Sequence, residues 1–173
     1  MVIRGPRLTL TALGADELEE ITWSPDDEDA RTLFVSRLRA DPGARGFWVW
    51  SATLDDGTAV GSGGFGGRPT ENRRLTVGYG VHEEHRGQGY ATELLTLLAE
   101  WALARPEIDV VRATIRPDNV ASLRVAEKAG FTPTGELVQD DEHGELLVFE
   151  RRSGRQESPS DTSDRVRGTV PRP

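Results

Sequence analysis

The sequence predicts a mixed α/β fold: one domain over residues 1–152, built on a single sheet flanked by helices, with a polar tail over residues 153–173. Three observations predict it. Segments of period two and period 3.6 follow one another as strand, two helices, three strands, helix, strand, helix and two strands, an order that suits a mixed sheet and not a doubly wound one. A glycine loop at residues 86–91 opens the most regular apolar run of the chain. Apolar residues nearly vanish after Arg152, so the tail has no face to bury and is expected to be disordered.

The elements follow in order. Arg7 to Ala12 alternates as Arg-Leu-Thr-Leu-Thr-Ala and reads as a strand with one buried face. A short helix is expected around Ala15 to Ile21. A longer one runs from near Asp27 to Ala40, with Leu33, Phe34 and Leu38 on its apolar side and Pro42-Gly43 ending it. Phe47 to Leu54, the turn Asp55-Asp56-Gly57 and Ala59-Val60-Gly61 read as a hairpin. Leu75 to Val81 alternates again, and Gly78 and Gly80 within it suggest a bulge or a close backbone approach. After the glycine loop, Ala91, Leu94, Leu95, Leu98 and Ala102 recur at helical spacing until Pro106. Val110 to Ile115 is a strand, and Asn119 to Ala129 is a helix with an Asn or Asp cap and Gly130 behind it. Thr134 to Gln139 and Leu146 to Glu150 close the domain as a second hairpin.

Composition narrows the chemistry. With 173 residues and 36% hydrophobic content the chain can fill one core without staples. It has no cysteine, which excludes disulfides, thiolate metal sites and a cysteine nucleophile. The N-terminus lacks the apolar run of a signal peptide and no stretch approaches the roughly 20 apolar residues of a membrane span, so a cytoplasmic protein without a membrane partner is expected. A formal net charge of −8 argues against a nucleic-acid partner, which needs clustered Lys and Arg. Any anionic ligand must then be met locally, by a few arginines and by backbone amides.

Arg86-Gly87-Gln88-Gly89-Tyr90-Ala91 is placed to do this. The first turn of a helix carries amides without intrahelical partners, and the macrodipole adds partial positive charge there. Glycines let the loop curl those N–H groups around a pyrophosphate, and the small Ala91 lets the ligand approach the helix end. Other phosphate loops fit worse. There is no Gly-Lys-Ser/Thr, and Gly61-Ser62-Gly63-Gly64-Phe65-Gly66 matches a dinucleotide fingerprint by spacing only, because Arg68-Pro69 follows it instead of a helix.

With Val81 placed before it, this loop resembles the acetyl-CoA motif of the GNAT superfamily of N-acetyltransferases. The block from Asn119 through Ser122 to Gly130-Phe131 resembles the Asn-x-x-Ser helix of the branch that includes the ribosomal-protein N-terminal acetyltransferases. The likeness extends over roughly Leu8 to Arg152. It implies a central, largely antiparallel sheet and acetyl-CoA as co-substrate, with no metal. The backbone of Tyr79, Gly80 and Val81 would bind the pantetheine arm where their strand splays from the next. The amides from Gly87 through Gln88, Gly89, Tyr90 and Ala91 to Thr92 would hold the pyrophosphate, and Asn119 would reach the pantetheine. Arg86 and Arg124 are candidates for phosphate charge.

The implied reaction is direct attack of a neutral primary amine, of a protein N-terminus or a small molecule, on the thioester. Many relatives carry a tyrosine as proton donor to the leaving thiolate where this chain has Ala126, so the resemblance assigns that role to Ser122. A family glutamate corresponds to Thr114, which leaves Glu71, His82 or a water chain as the base, with Glu71 the choice; His85 and His143 read as loop surface. Trp23, Phe34, Trp48 and Trp50 are candidates for the acceptor pocket or for the core, and Asp26, Asp27, Glu28 and Asp29 for attracting a cationic amine or starting a helix. The alternative is a module of the same fold that binds acetyl-CoA as a sensor without turnover. A homodimer through the terminal strands is compatible with either reading.

Overall fold

The computed structural model describes residues 1–21, 28–142 and 144–155. Its elements are β1 (Val2–Arg4), β2 (Thr9–Ala12), α1 (Ala15–Glu20), α2 (Glu28–Ala40), β3 (Val49–Thr53), β4 (Ala59–Phe65), β5 (Arg74–Val81), α3 (Tyr90–Leu103), β6 (Val110–Ile115), α4 (Val120–Lys128), β7 (Thr132–Asp140) and β8 (Gly144–Arg152). The strands form one open eight-stranded sheet in the order β1-β2-β3-β4-β5-β6-β8-β7. Every neighbouring pair is antiparallel except β5 and β6, which α3 connects as a parallel crossover.

Strand β1 is an addition to the expected list. Three residues are too few for an alternation to be read, and the segment becomes a strand because Gly5 turns it back, its amide donating to the Leu8 carbonyl at 2.7 Å, to pair with β2. The strand expected from Arg7 starts instead at Thr9, because the amides of Arg7 and Leu8 donate to the Glu93 carboxylate at 2.8 and 2.9 Å and not to a neighbouring strand. β4 runs four residues beyond Gly61, through the segment that resembles a dinucleotide loop by spacing. A glycine is required at residue 64 for a packing reason: a Cβ there would lie 1.7 Å from the Trp48 carbonyl oxygen of β3's approach.

One face of the sheet packs against α3 and α4 and holds the main core, in which Leu10, Trp50, Val60, Leu94, Leu98 and Val111 are fully enclosed. Trp101 of α3 seats edge-on against Trp50, with centroids 5.1 Å apart, and stacks on Phe65 at 5.5 Å. Trp50, one of the acceptor-pocket candidates, is therefore core, with its indole N–H donating to the Gly46 carbonyl at 2.9 Å. A second, smaller cluster of Leu13, Leu18, Val35 and Leu38 lies under α1 and α2. Leu33 does not join it and is 47% exposed, against expectation. It stands about 200° around the helix from Val35, so a stripe centred on Val35 and Leu38 turns Leu33 outward. Trp23, Asp26 and Asp27 lie outside the described residues, as does His143. At the start of the expected tail, the Ser153 amide donates to the Asp109 carbonyl and Arg155 Nη2 donates to the carbonyls of Leu103, Arg105 and Ile108, which ties residues 153–155 to the end of α3. Among the described residues no helix is long and apolar enough to cross a membrane.

Candidate active site

The site begins as a defect in the sheet. β5 and β6 are in register only over Arg74–Thr76 with Val110–Arg112. Beyond Thr76 each strand follows its other neighbour: β5 stays with β4 to Val81, and β6 stays with β8 to Ile115. Val77 to Val81 therefore have strand pairing on one side only and face a gap, and the register of β5 with β4 is unbroken there. The expected splay is present. The glycines of β5 do not produce a register shift; instead Gly78 and Gly80 leave open space where a Cβ would stand.

The glycine loop closes the mouth of the gap. Gly87 and Gly89 have φ of 75° and 84°, the left-handed region that costs other residues about 1–2 kcal/mol, and Gly89 caps α3. The first-turn amides of Tyr90, Ala91 and Thr92 have no carbonyl a turn earlier within the helix. Together with α4 these residues enclose a cleft of about 600 Å³. Tyr79, Gly80 and Val81 line it, as do Arg86, Gly87, Gly89, Tyr90, Ala91 and Thr92, and Asn119 and Ser122 stand on its far wall. Gln88 does not line it. Its carbonyl accepts from Arg7 Nη1 at 2.8 Å, and its side-chain amide turns back to the Glu84 carbonyl.

The cleft is cationic within an acidic protein. Arg86, Arg124 and Lys128 line it, and none forms an ion pair among the described residues, whereas Arg39, Arg45, Arg68, Arg73 and Arg112 are each held by a carboxylate. Among the described residues the Arg86 guanidinium donates only to the Val81 carbonyl, at 3.1 Å. Lys128 and His85 are walls that the sequence reading missed. Lys128 enters because it lies a turn beyond Arg124 on α4, and His85, expected on the loop surface, is turned toward Tyr90 with ring centroids 6.4 Å apart.

Arg7 is another missed residue. Its guanidinium stands 4.7 Å over the Tyr90 ring, and its Nε donates to Glu93 at 2.9 Å. A residue just before β2 thereby braces the loop, reaching Gln88 81 residues later in the chain, a contact that no local pattern encodes.

Asn119 caps α4, its Oδ1 accepting from the Ser122 amide at 3.1 Å. The Ser122 hydroxyl makes no hydrogen bond among the described residues, unlike Ser51 and Thr53, whose hydroxyls donate to backbone carbonyls of β2. Two further clefts meet the first one. A largely apolar cleft of about 490 Å³ runs over the glycine-rich face of β4 and β5, with Phe34 and Trp48 at its rim, ring centroids 5.7 Å apart. Another, of about 540 Å³, extends past Thr114 and Ser122 toward Asp140 at the end of β7.

Glu71 is not brought to this place. It is exposed in the turn before β5, and none of the three clefts includes it; the exposed His82 is likewise absent from their walls. Glu28 and Asp29 open α2, with Glu28 paired to Arg31, and they too stand outside the clefts. Among the described residues no group of three His, Asp or Glu side chains could hold a metal ion.

Residues 7–132 match the family model described as an acetyltransferase (GNAT) domain. The uncharacterized N-acetyltransferase YjdG of Bacillus subtilis is 36% identical over 104 residues, 60% of this chain and 62% of that protein, so the match spans less than two thirds of the relative's length. Two solved structures share the fold. RimL, a ribosomal L7/L12 alpha-N-protein acetyltransferase in complex with coenzyme A, superposes with a TM-score of 0.69 at 19% identity, covering 88% of this chain and 98% of that one. The ribosomal-protein-S5-alanine acetyltransferase from Vibrio fischeri superposes with a TM-score of 0.70 at 10% identity, covering 89% and 97%. With the family model covering most of the chain and the sheet gap and glycine loop both in place, the chain belongs to the GNAT acetyltransferase family.

Proposed function

We propose that the protein transfers the acetyl group of acetyl-CoA to a primary amine by direct attack. The observation that carries this reading is the cationic, glycine-closed cleft that leads into the β5/β6 gap. The amides of Gly87, Gly89, Tyr90, Ala91 and Thr92 hold the pyrophosphate, with Arg86, Arg124 and Lys128 supplying charge that no carboxylate of the described chain cancels. The pantetheine arm lies along Tyr79 to Val81, where β5 has free backbone groups to offer, and Asn119 reaches it from α4.

The thioester then sits where the three clefts meet, and the amine enters through the apolar cleft beneath Phe34 and Trp48. An amine attacks only when neutral, and an α-amino group, with an intrinsic pKa of about 7.7–8.0, sheds its proton more readily than a lysine at about 10.4. A backbone N–H of β5 stabilises the oxyanion as the tetrahedral intermediate forms. Ser122 donates to the departing sulfur; its free hydroxyl supports that role. Glu71 stands apart from the clefts, so the amine's proton leaves through solvent rather than to that carboxylate.

The test is release of CoA thiol from acetyl-CoA against a panel of small amines and N-terminal peptides, with Ser122→Ala alongside. Turnover with one acceptor class, lowered at least tenfold in kcat by Ser122→Ala, is the expected result. Saturable acetyl-CoA binding without thiol release for any acceptor would overturn the reading in favour of a sensor, and full turnover by Ser122→Ala would remove that residue from the chemistry.

A further inference from the structure

Among the described residues Tyr79 is the one that lines all three of the clefts that meet in the β5/β6 gap. Its neighbours Gly78 and Gly80 point to the acceptor face of the sheet and present no side chain there. By the alternation of a strand, the Tyr79 ring falls on the opposite face, toward α3 and α4. The ring packs on the main core, and its Oη reaches across the gap to within 3.5 Å of the Ser122 carbonyl in the first turn of α4.

That distance is at the outer limit of a hydrogen bond, so the phenol proton is only loosely committed to its partner. An acceptor placed between the two walls would compete for it. The phenol spans the same gap that the thioester must enter to meet an amine coming over Gly78 and Gly80. No other aromatic hydroxyl is available, because Tyr90, the second tyrosine of the chain, lies under Arg7 at the loop.

We propose that Tyr79 is a catalytic proton donor to the leaving sulfur, acting from the strand wall of the gap opposite Ser122; this rests on the acetyl-transfer reading above. As the amine nitrogen bonds to the carbonyl carbon and the carbon–sulfur bond breaks, the electron pair leaves on sulfur. The Tyr79 proton passes to sulfur, to which the Ser122 hydroxyl offers a hydrogen bond while keeping its own proton, and the proton that nitrogen sheds restores the phenol through solvent. The net products are the amide and the free thiol. A phenol, intrinsically near pKa 10, is closer to a thiol, near 8.5, than an alkyl hydroxyl is, and the better match makes it the more effective acid of the two walls. Burial raises the Tyr79 pKa further, against a smaller opposing effect from the Ser122 contact, so the group carries its proton across the working pH range.

Tyr79→Phe removes Oη and leaves the ring in its packing. Initial rates on the best acceptor are measured with acetyl-CoA and acceptor varied, together with acetyl-CoA Kd and thermal stability. The expected result is a fall in kcat of about 100-fold, at the low end of general-acid contributions, with acetyl-CoA Kd and both KM values within about threefold of wild type and an unchanged melting temperature. A variant that keeps kcat within about threefold overturns the proposal while leaving acetyl transfer intact. So does one that raises the acetyl-CoA KM at constant kcat, because the phenol then positions the cofactor and donates nothing. A wild-type protein that binds acetyl-CoA and acetylates nothing overturns the underlying reading, and the two failures are distinguished by the wild-type rate alone.

Discussion

Replacing Glu93 by Ala takes away one acceptor from three donors at once. The carboxylate accepts the backbone amides of Arg7 and Leu8 at 2.8 and 2.9 Å and Arg7 Nε at 2.9 Å, and its side chain is 10% exposed. Leu8 is 1% exposed, so its amide loses a charge-assisted bond with no water to replace it, a cost of about 1.5–3 kcal/mol. The Arg7 donors lie at the surface, with the side chain 47% exposed, and solvent takes over most of their share. The net loss is about 2–3 kcal/mol, which for a chain of this size lowers Tm by about 4–12 °C. The glycine loop also loses its brace, since a freed Arg7 no longer holds the Gln88 carbonyl. Re-ordering one backbone residue on binding costs about 1–2 kcal/mol, so acetyl-CoA Kd rises about 5- to 30-fold. Thermal melts and an acetyl-CoA titration of wild type, Glu93→Ala and Arg7→Ala measure both effects. A Glu93→Ala protein melting within about 1 °C of wild type and binding acetyl-CoA equally well would refute the linkage between β2 and the loop.

Asn119 separates helix capping from cofactor contact: Asn119→Ala should cost about 1 kcal/mol in a denaturant titration, whereas Asn119→Asp keeps the cap, holds stability near wild type and raises acetyl-CoA Kd by placing a negative charge in the cationic cleft. Equal acetyl-CoA affinity for wild type and Asn119→Asp would show that this side chain does not face the cofactor. Glu150, 4% exposed, accepts from Arg112 at 2.9 Å and from Arg152 at 2.7 Å. Burial alone would raise its pKa, but the Arg112 hydrogen bonds and the charges of Arg152, Arg112 and Arg74 outweigh it and hold the carboxyl below its usual range. Its contribution is therefore fully present above the unfolded value near pH 4.3 and is lost as pH falls through the lower folded value. Glu150→Gln should be about 1.5–3 kcal/mol less stable than wild type at pH 7, and the difference should vanish in melts taken well below pH 4. A difference that persists unchanged in acid would count against the ion network.

Helix α3 and the loop before it were legible because their signals are local. Leu94, Leu95, Leu98 and Ala102 repeat at the helical period, and the glycines at 87 and 89 occur where the chain must turn with positive φ. The Asn119 cap was readable for the same reason, since its oxygen serves an amide three residues away. β1 was not readable, being three residues whose strand character comes from pairing with β2. Glu71 looked eligible as a base because acidic residues near a strand are chemically suitable anywhere, but suitability carries no distance, and the turn before β5 holds it away from the gap.

The sequence by itself determined the mixed α/β class, the strand–loop–helix that walls the cleft and the capped helix that faces it. These are encoded by the conformational limits of glycine and by side-chain periodicity within a few residues. Tertiary structure alone decided that β5 and β6 part after Thr76, that Arg7 and Glu93 brace the loop, that Lys128 and His85 join the cleft, and that the Tyr79 phenol crosses the gap to Ser122. Each of these joins residues distant in the chain, and which distant groups meet is set by the packing of whole elements against one core.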